Sequence, residues 1–177
     1  KIYAFEPAPD TFNKLKAAVS NFSNIQTFNF GFGVQKAQTR LFFSGAASGL
    51  ASLYDRPVLK IKAFGTTSVQ VDLDTIDDFC AQNGIGRIDL LKLDVEGHEL
   101  EVLKGARSML ENRVIDFIQF EFGGTDVDAR VFLKDFFELL GSDYTISRIL
   151  KDGLYPVVYD ETKEIFTTTN YLVELKK

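Results

Sequence analysis

The sequence IDLLKLDVEGHELEVLKGA, residues 88–106, determines the architecture more clearly than any other part of the chain. Its first six residues are nearly all apolar, as is typical of a strand buried on both faces of a parallel sheet. Gly97 permits a tight turn after the strand. The apolar residues that follow share one helical face: Leu100, Leu103, Ala106 and Leu110. The stretch therefore predicts a buried strand, an acidic turn and a helix that packs back on the sheet.

Apolar runs on both sides of this stretch predict more strands. They lie at residues 2–5, 25–30, 41–43, 58–61, 69–73, 115–120, 144–150, 154–159 and 170–175. The first two thirds of this series and its C-terminal end differ in their connections. A helix separates the first two strands, which favours parallel pairing, whereas Lys151-Asp152-Gly153 is typical of a hairpin turn. We therefore expect an α/β fold in one domain, 1–177, with a mostly parallel sheet and antiparallel C-terminal strands.

Capping residues and apolar spacing predict the helices. Asp10 is placed to cap a helix whose apolar face ends at Phe22, and a short helix is expected from Thr75 to Gln82. Thr125 and Asp128 resemble a capping box at the start of a further helix. Its apolar residues are Phe132, Phe136, Leu139 and Leu140, and Gly141 is its expected end.

Composition excludes several classes of protein. The 177 residues carry a net charge of −5 without a basic block, which argues against nucleic-acid binding. No apolar run approaches the ~18 residues of a membrane span. Cys80 is the single cysteine, so neither an internal disulfide nor a thiolate zinc site is expected. The N-terminal residues lack the features of a signal peptide, and we expect a cytoplasmic protein.

Three of the predicted strands are followed by an acid. These acids are Glu6, Asp94 and Glu121. Ligands of open α/β sheets bind beyond the carboxyl ends of the strands, so three carboxylates at that edge predict a site. An acid in the position of Glu6 can accept hydrogen bonds from both hydroxyls of a ribose, in NAD or in S-adenosylmethionine. Lys92 lies inside an apolar strand and is expected to reach a carboxylate.

Two residues are candidates for a catalytic base. Asp94 ends the strand, and His98, the single histidine, titrates near neutral pH without help from its surroundings. A divalent metal held by Asp94 and Glu121 is a weaker hypothesis, since oxygen ligands suit magnesium. No metal is expected from the rest of the sequence.

The motifs IYAFEPAP at 2–9 and IDLLKLDVEGHELEVLKGA at 88–106 resemble the FkbM-type methyltransferases. LDTID at 73–77 and Glu121 extend the resemblance over nearly the whole chain. The family implies a class I, Rossmann-like fold that uses S-adenosylmethionine and methylates hydroxyls of sugars or secondary metabolites. The acceptor would be a small molecule or a glycan, with no nucleic acid or membrane as partner.

The resemblance also implies roles for individual residues. Glu6 would hold the ribose of the cofactor, and Gly31 and Phe32 would lie near the adenine. Asp94 would face the methyl group and contact the cofactor, with Asp94 or His98 as the catalytic base.

The family's first strand and glycine-rich loop would precede Ile2, and the given chain lacks them. That strand would lie centrally, between the strands that end at Glu6 and Asp94. We therefore expect an N-terminally incomplete domain, inactive on its own without the cofactor loop. Two alternatives stay open: a non-catalytic binding or scaffold domain derived from the methyltransferase fold, and a fragment of an NAD-dependent dehydrogenase.

Overall fold

The structure is a computed structural model that describes residues 1–44, 51–54 and 66–177. In chain order its elements are β1 (Ile2–Phe5), α1 (Pro9–Ala18), β2 (Ile25–Phe28), β3 (Gly31–Phe32), β4 (Ala37–Ser44), β5 (Thr66–Asp74), α2 (Ile76–Asn83), β6 (Ile88–Lys92), α3 (Glu99–Lys104), α4 (Arg107–Glu111), β7 (Ile115–Phe122), α5 (Gly124–Ala129), α6 (Leu133–Leu140), β8 (Tyr144–Leu150), β9 (Gly153–Pro156) and β10 (Thr169–Leu175). The expected α/β class is confirmed. The predicted strand at 58–61 falls outside the described residues.

The largest sheet has the strand order β6-β7-β10-β8-β9. β6 and β7 run parallel, and every other pair in this sheet is antiparallel. Gly153 opens β9 with a positive φ of 147°, which suits glycine in the predicted hairpin turn. The antiparallel C-terminal strands are therefore confirmed, and the carboxyl ends of β6, β7 and β8 lie at one edge.

One face of this sheet carries the main core. Ile118, Phe120 and Phe122 of β7 are fully buried, as is Val173 of β10. The ring of Phe120 stacks on Phe136 of α6 with centroids 4.3 Å apart. The alternation of β7 directs these side chains to the helices, so α3, α4 and α6 cover this face.

The opposite face is open among the described residues. Leu90 is 56% exposed and Phe117, its partner across β6 and β7, is 38% exposed. The prediction that the strand at 88–93 is buried on both faces is therefore wrong for Leu90. An apolar run indicates a strand, but the cover on each face depends on distant elements.

The remaining strands form two smaller sheets. β1 and β2 pair in parallel, as the helix between them predicted. β5 pairs in parallel with β3 and antiparallel with β4, so each of the three sheets contains a parallel pair. Described strands do not bridge β1 and β6, and the single sheet expected from the sequence is divided into three.

Two helix predictions need correction. Pro9 begins α1, ahead of Asp10, because proline suits the first helical turn. The predicted capping box at Thr125 and Asp128 is also wrong. The amide of Gly123 instead donates to Asp126 Oδ2 at 2.7 Å and starts α5, and the amide of Phe132 donates to Asp135 Oδ2 at 2.8 Å and starts α6.

Candidate functional site

Asp94 presents an exposed carboxylate just beyond the carboxyl end of β6. Lys92 Nζ lies 2.9 Å from Asp94 Oδ2, and the side chains are 55% and 61% exposed. The expectation that Lys92 reaches a carboxylate is confirmed. Glu121 lies on the adjacent β7, close enough for the charges of Lys92 and Asp94 to act on it. Burial raises the pKa of Glu121, the charge of Asp94 raises it further, and Lys92 lowers it.

Glu6 lies outside the sheet that contains β6 and β7. It follows β1, which pairs with β2, so the expected row of three acids along one sheet contains Asp94 and Glu121 without Glu6. Glu121 also lies within β7 instead of after it. The amide of Ala8 donates to Glu6 Oε1 at 2.8 Å. Burial raises the pKa of Glu6, and this hydrogen bond lowers it.

Gly31 and Phe32 form β3, beside the end of β5. The ring centroid of Phe32 lies 4.5 Å from that of Phe5, within an aromatic cluster that joins β1, β2 and α2. The other rings of this cluster are Tyr3, Phe28, Phe30 and Phe79. A Cβ at Gly31 would lie 3.0 Å from Leu73 Cδ2, so a larger residue would displace the chain there.

The turn after Asp94 is held from inside by Glu99. Its Oε1 accepts the amide of Val95 and its Oε2 that of Gly97, both at 2.9 Å. Glu99 is 1% exposed, and burial raises its pKa to about 7. Gly97 has a φ of 98°, and a Cβ there would lie 2.9 Å from the carbonyl oxygen of Thr125. Glu99 and Gly97 therefore form the turn that presents Asp94.

His98 faces inward from the same turn. Its Nδ1 lies 3.2 Å from the hydroxyl of Tyr54, and a Cβ at Gly33 would lie 3.2 Å from its Nε2. Burial lowers the pKa of His98, while the charge of Glu101 raises it. The two candidate bases therefore differ, since Asp94 is exposed and His98 packs between two segments.

Gln119 and Asn170 are polar residues of this region that the sequence analysis did not single out. Gln119 Nε2 donates to Asn170 Oδ1 at 3.3 Å, and both side chains are half-buried. The alternation of β7 places Gln119 and Glu121 on the face opposite its buried aromatic residues. That alternation was the available signal for Gln119. The sequence carried no signal for Asn170, because its position follows from the pairing of β10 with β7.

The described residues contain no group of three or more His, Cys, Asp or Glu side chains arranged to hold a metal ion. Within the same ranges, no helix has both the length and the apolar character needed to cross a bilayer.

Comparison with known proteins relates the chain to methyltransferases. The model of the methyltransferase FkbM domain matches residues 1–145. Methyltransferase 1 of Beauveria bassiana is 34% identical over 59% of this chain and 48% of its own length. Hexuronic acid methyltransferase AglP of Haloferax volcanii is 28% identical over 85% of this chain and 56% of its own length. Methyltransferase sdnD of Sordaria araneosa is 31% identical over 59% of this chain and 51% of its own length.

The chain spans about half the length of these relatives. A crystal structure of methyltransferase FkbM from Methylobacillus flagellatus KT aligns with 97% of this chain and 36% of its own, with a TM-score of 0.47 and 19% identity.

Proposed function

Because this chain belongs to the FkbM methyltransferase family, we propose that it is part of an S-adenosylmethionine-dependent O-methyltransferase. The acceptor is a hydroxyl of a sugar or of a secondary metabolite. The observation that carries the proposal is the exposed carboxylate of Asp94, fixed at the end of β6 by the turn that Glu99 holds. The name of the hexuronic acid methyltransferase relative supports a sugar-type acceptor.

Glu6 fits the binding of the cofactor ribose. Ala8 occupies Oε1 of Glu6, and the hydrogen bonds formed among the described residues leave Oε2 with its acceptor capacity. A half-buried carboxylate can accept both ribose hydroxyls because it is an acceptor without a competing donor. Gly31 and Phe32 follow β2 and are proposed to lie at the adenine end of the same ligand.

Asp94 is the proposed base for the acceptor hydroxyl. Bound S-adenosylmethionine supplies a methyl group on a sulfonium, which is already activated for transfer. The protein must then align the acceptor oxygen and take up its proton. The ammonium of Lys92 donates to the Asp94 carboxylate at 2.9 Å. His98 is the alternative base, although its contacts with Tyr54 and Gly33 favour a role inside the turn.

We also propose that the protein acts in the cytoplasm. Cys80 is a free, buried thiol, which suits a reducing compartment.

The test of the proposed function is calorimetric titration of the complete protein that contains this chain with S-adenosylmethionine, alongside its Glu6→Ala variant and the control Asp10→Ala. Asp10 is an acid of the neighbouring helix α1. Loss of two charge-assisted hydrogen bonds is expected to weaken the affinity of Glu6→Ala by roughly 2–4 kcal/mol, with the control unchanged. Equal affinity in Glu6→Ala would remove the role of Glu6. Failure of the unmodified protein to bind S-adenosylmethionine would contradict the proposed function.

A further inference from the structure

We propose that Lys92, Gln119, Glu121 and Asn170 form a binding site for an uncharged, polyhydroxylated acceptor such as a neutral sugar unit. The inference rests on the proposed function and makes it more specific. It assigns recognition of the acceptor to four side chains, here called the polar array, and it predicts which sugars are excluded.

The register of the sheet places the polar array on one face. Lys92 of β6 is the partner of Gln119 on β7, and Glu121 of β7 is the partner of Asn170 on β10. Gln119 and Glu121 are two residues apart and therefore point to the same side of the sheet. The array thus spans three adjacent strands. Asp94 lies next to the array, where its carboxylate forms an ion pair with Lys92.

The rest of this face differs in chemistry. Toward the opposite edge it continues with Leu90 and Phe117, with Glu174 of β10 beside Phe117, while Leu172 lies beside Gln119. The reverse side of β7 is fully buried and apolar. The four side chains of the polar array thus lie at the end of this face beside the proposed base, where an acceptor hydroxyl must lie for its proton to reach Asp94.

The polar array offers both donors and acceptors. The hydrogen bond from Gln119 Nε2 to Asn170 Oδ1 leaves the carbonyl oxygen of Gln119 and the amide nitrogen of Asn170 to face a ligand. Lys92 has three N–H donors, of which Asp94 takes one. Adjacent hydroxyls of a sugar both donate and accept, so alternating groups of this kind match them.

Charge determines which sugar fits. Two carboxylates, Asp94 and Glu121, surround one ammonium, Lys92, and the amides are neutral. The proximity of Asp94 already raises the pKa of Glu121. A carboxylate on the acceptor would add a third negative charge to this region, and like charges at short range repel. We therefore expect a neutral sugar to bind in preference to a uronic acid.

Saturation-transfer NMR with methyl β-glucopyranoside and methyl β-glucuronopyranoside tests this inference without requiring methyl transfer. The unmodified protein should give signals with the glucoside and weaker signals with the glucuronide. Loss of the amide hydrogen bonds in Gln119→Leu or Asn170→Leu should weaken glucoside binding about 5- to 10-fold. The control is Glu174→Leu, which removes an exposed polar residue from the same face of β10, at its far end.

Circular dichroism of each variant verifies that it is folded. If the glucoside does not bind, if it binds equally to Asn170→Leu, or if the glucuronide binds more tightly, the inference is wrong. Titration of the same samples with S-adenosylmethionine separates the two proposals. Cofactor binding without glucoside binding contradicts only the polar array. Glucoside binding that depends on Asn170, without cofactor binding, supports the array and contradicts the proposed function.

Discussion

The carboxyl groups of Glu99 and Asp126 are both buried, and the charge of Asp126 acts on Glu99. Glu99 is 1% exposed and Asp126 is 0% exposed. Burial raises the pKa of Glu99 to about 7, and the negative charge of Asp126 contributes to the rise. Burial likewise raises the pKa of Asp126 to about 6, against the effect of its hydrogen bond from Gly123. Glu99 accepts the amides of the turn after β6, and Asp126 accepts the amide of Gly123 at the start of α5, so their ionisation bears on both segments.

We predict that the protein is less stable at neutral pH than at mildly acidic pH because of these two groups. A carboxyl whose pKa is higher in the folded than in the unfolded state favours folding while it is protonated. That contribution is present below the unfolded pKa and is lost as the pH rises through about 7 for Glu99. Its size is on the order of 3 kcal/mol for each group. Urea unfolding at about pH 5 and about pH 8 measures the difference.

Asp126→Asn is the informative variant for this prediction. Its side-chain oxygen can still accept the amide of Gly123, while the charge next to Glu99 is removed. We expect a smaller loss of stability between the two pH values. Glu138→Gln changes an exposed acid on α6 and serves as the control. An unchanged pH dependence in Asp126→Asn would show that the pKa of Asp126 is not raised in the folded protein and would contradict its part in this prediction.

A second prediction concerns His98, whose proton resonances can be assigned directly because the chain has one histidine. Burial should place the pKa of its imidazole below the ordinary 6.5 in an NMR titration. For a base with a lowered pKa, the folded state loses stability as the pH falls below 6.5. Glu101→Gln removes a charge that raises this pKa and should lower it further. Glu111→Gln, an acid of α4, should leave it unchanged. A pKa at or above 6.5 would contradict the inward position of His98.

The glycine at 105 provides a third prediction. A Cβ on Gly105 would lie 2.1 Å from the carbonyl oxygen of Gly33, so the end of α3 packs directly on the backbone after β3. Gly105→Ala should lower the free energy of unfolding by roughly 1–3 kcal/mol through overpacking. Gly86→Ala is the matched control, because a Cβ there meets nothing within 4 Å. Urea unfolding of both variants measures the difference, and equal midpoints would argue against the close approach.

Local patterns in the sequence predicted much of the fold. The strand at Ile2–Phe5 and the hairpin at Lys151-Asp152-Gly153 agree with the structure, because an apolar run and a turn residue act through neighbouring residues. The antiparallel pairing of β4 with β5 and the exposure of Leu90 were not predictable in this way. Both depend on which distant segment lies alongside or above a strand, and a single sequence does not encode that in its local spacing.

The candidate site was predicted in part for the same reason. The sequence predicted an acidic turn after the strand at 88–93 without distinguishing its acids from one another. The structure instead exposes Asp94 and buries Glu99, because the positive φ of Gly97 turns the chain sharply between them. The ion pair of Lys92 was predicted, but the reason given for it does not hold, because Lys92 is 55% exposed and its ammonium is not buried. The contact of His98 with Tyr54 joins residues 44 positions apart and could not be foreseen.

The last prediction distinguishes the two candidate bases. Removal of a general base is expected to slow methyl transfer by about 10²–10⁴-fold. The exposed position of Asp94 and the inward position of His98 favour Asp94. Asp94→Asn should therefore lose most of its single-turnover rate and retain affinity for S-adenosylmethionine. His98→Ala should unfold more easily, because it loses the contact with Tyr54. Its single-turnover rate while folded should stay within about tenfold of that of the unmodified protein.

The pH dependence of the rate then identifies the group that titrates. A histidine base would lose rate in proportion to its protonation as the pH falls, and burial places the pKa of His98 below 6.5. Glu99 has a pKa of about 7, and its protonation also changes the turn that presents Asp94. The pH profile of the rate is therefore measured again in Asp126→Asn, which lacks one of the charges that act on Glu99. A transition in the pH profile that shifts in Asp126→Asn belongs to Glu99. A transition that is unchanged in Asp126→Asn but absent in His98→Ala belongs to the histidine.

A full single-turnover rate in Asp94→Asn would exclude Asp94 as the base. Full rates in both Asp94→Asn and His98→Ala would mean that alignment of the acceptor oxygen, without a base in this turn, carries the reaction.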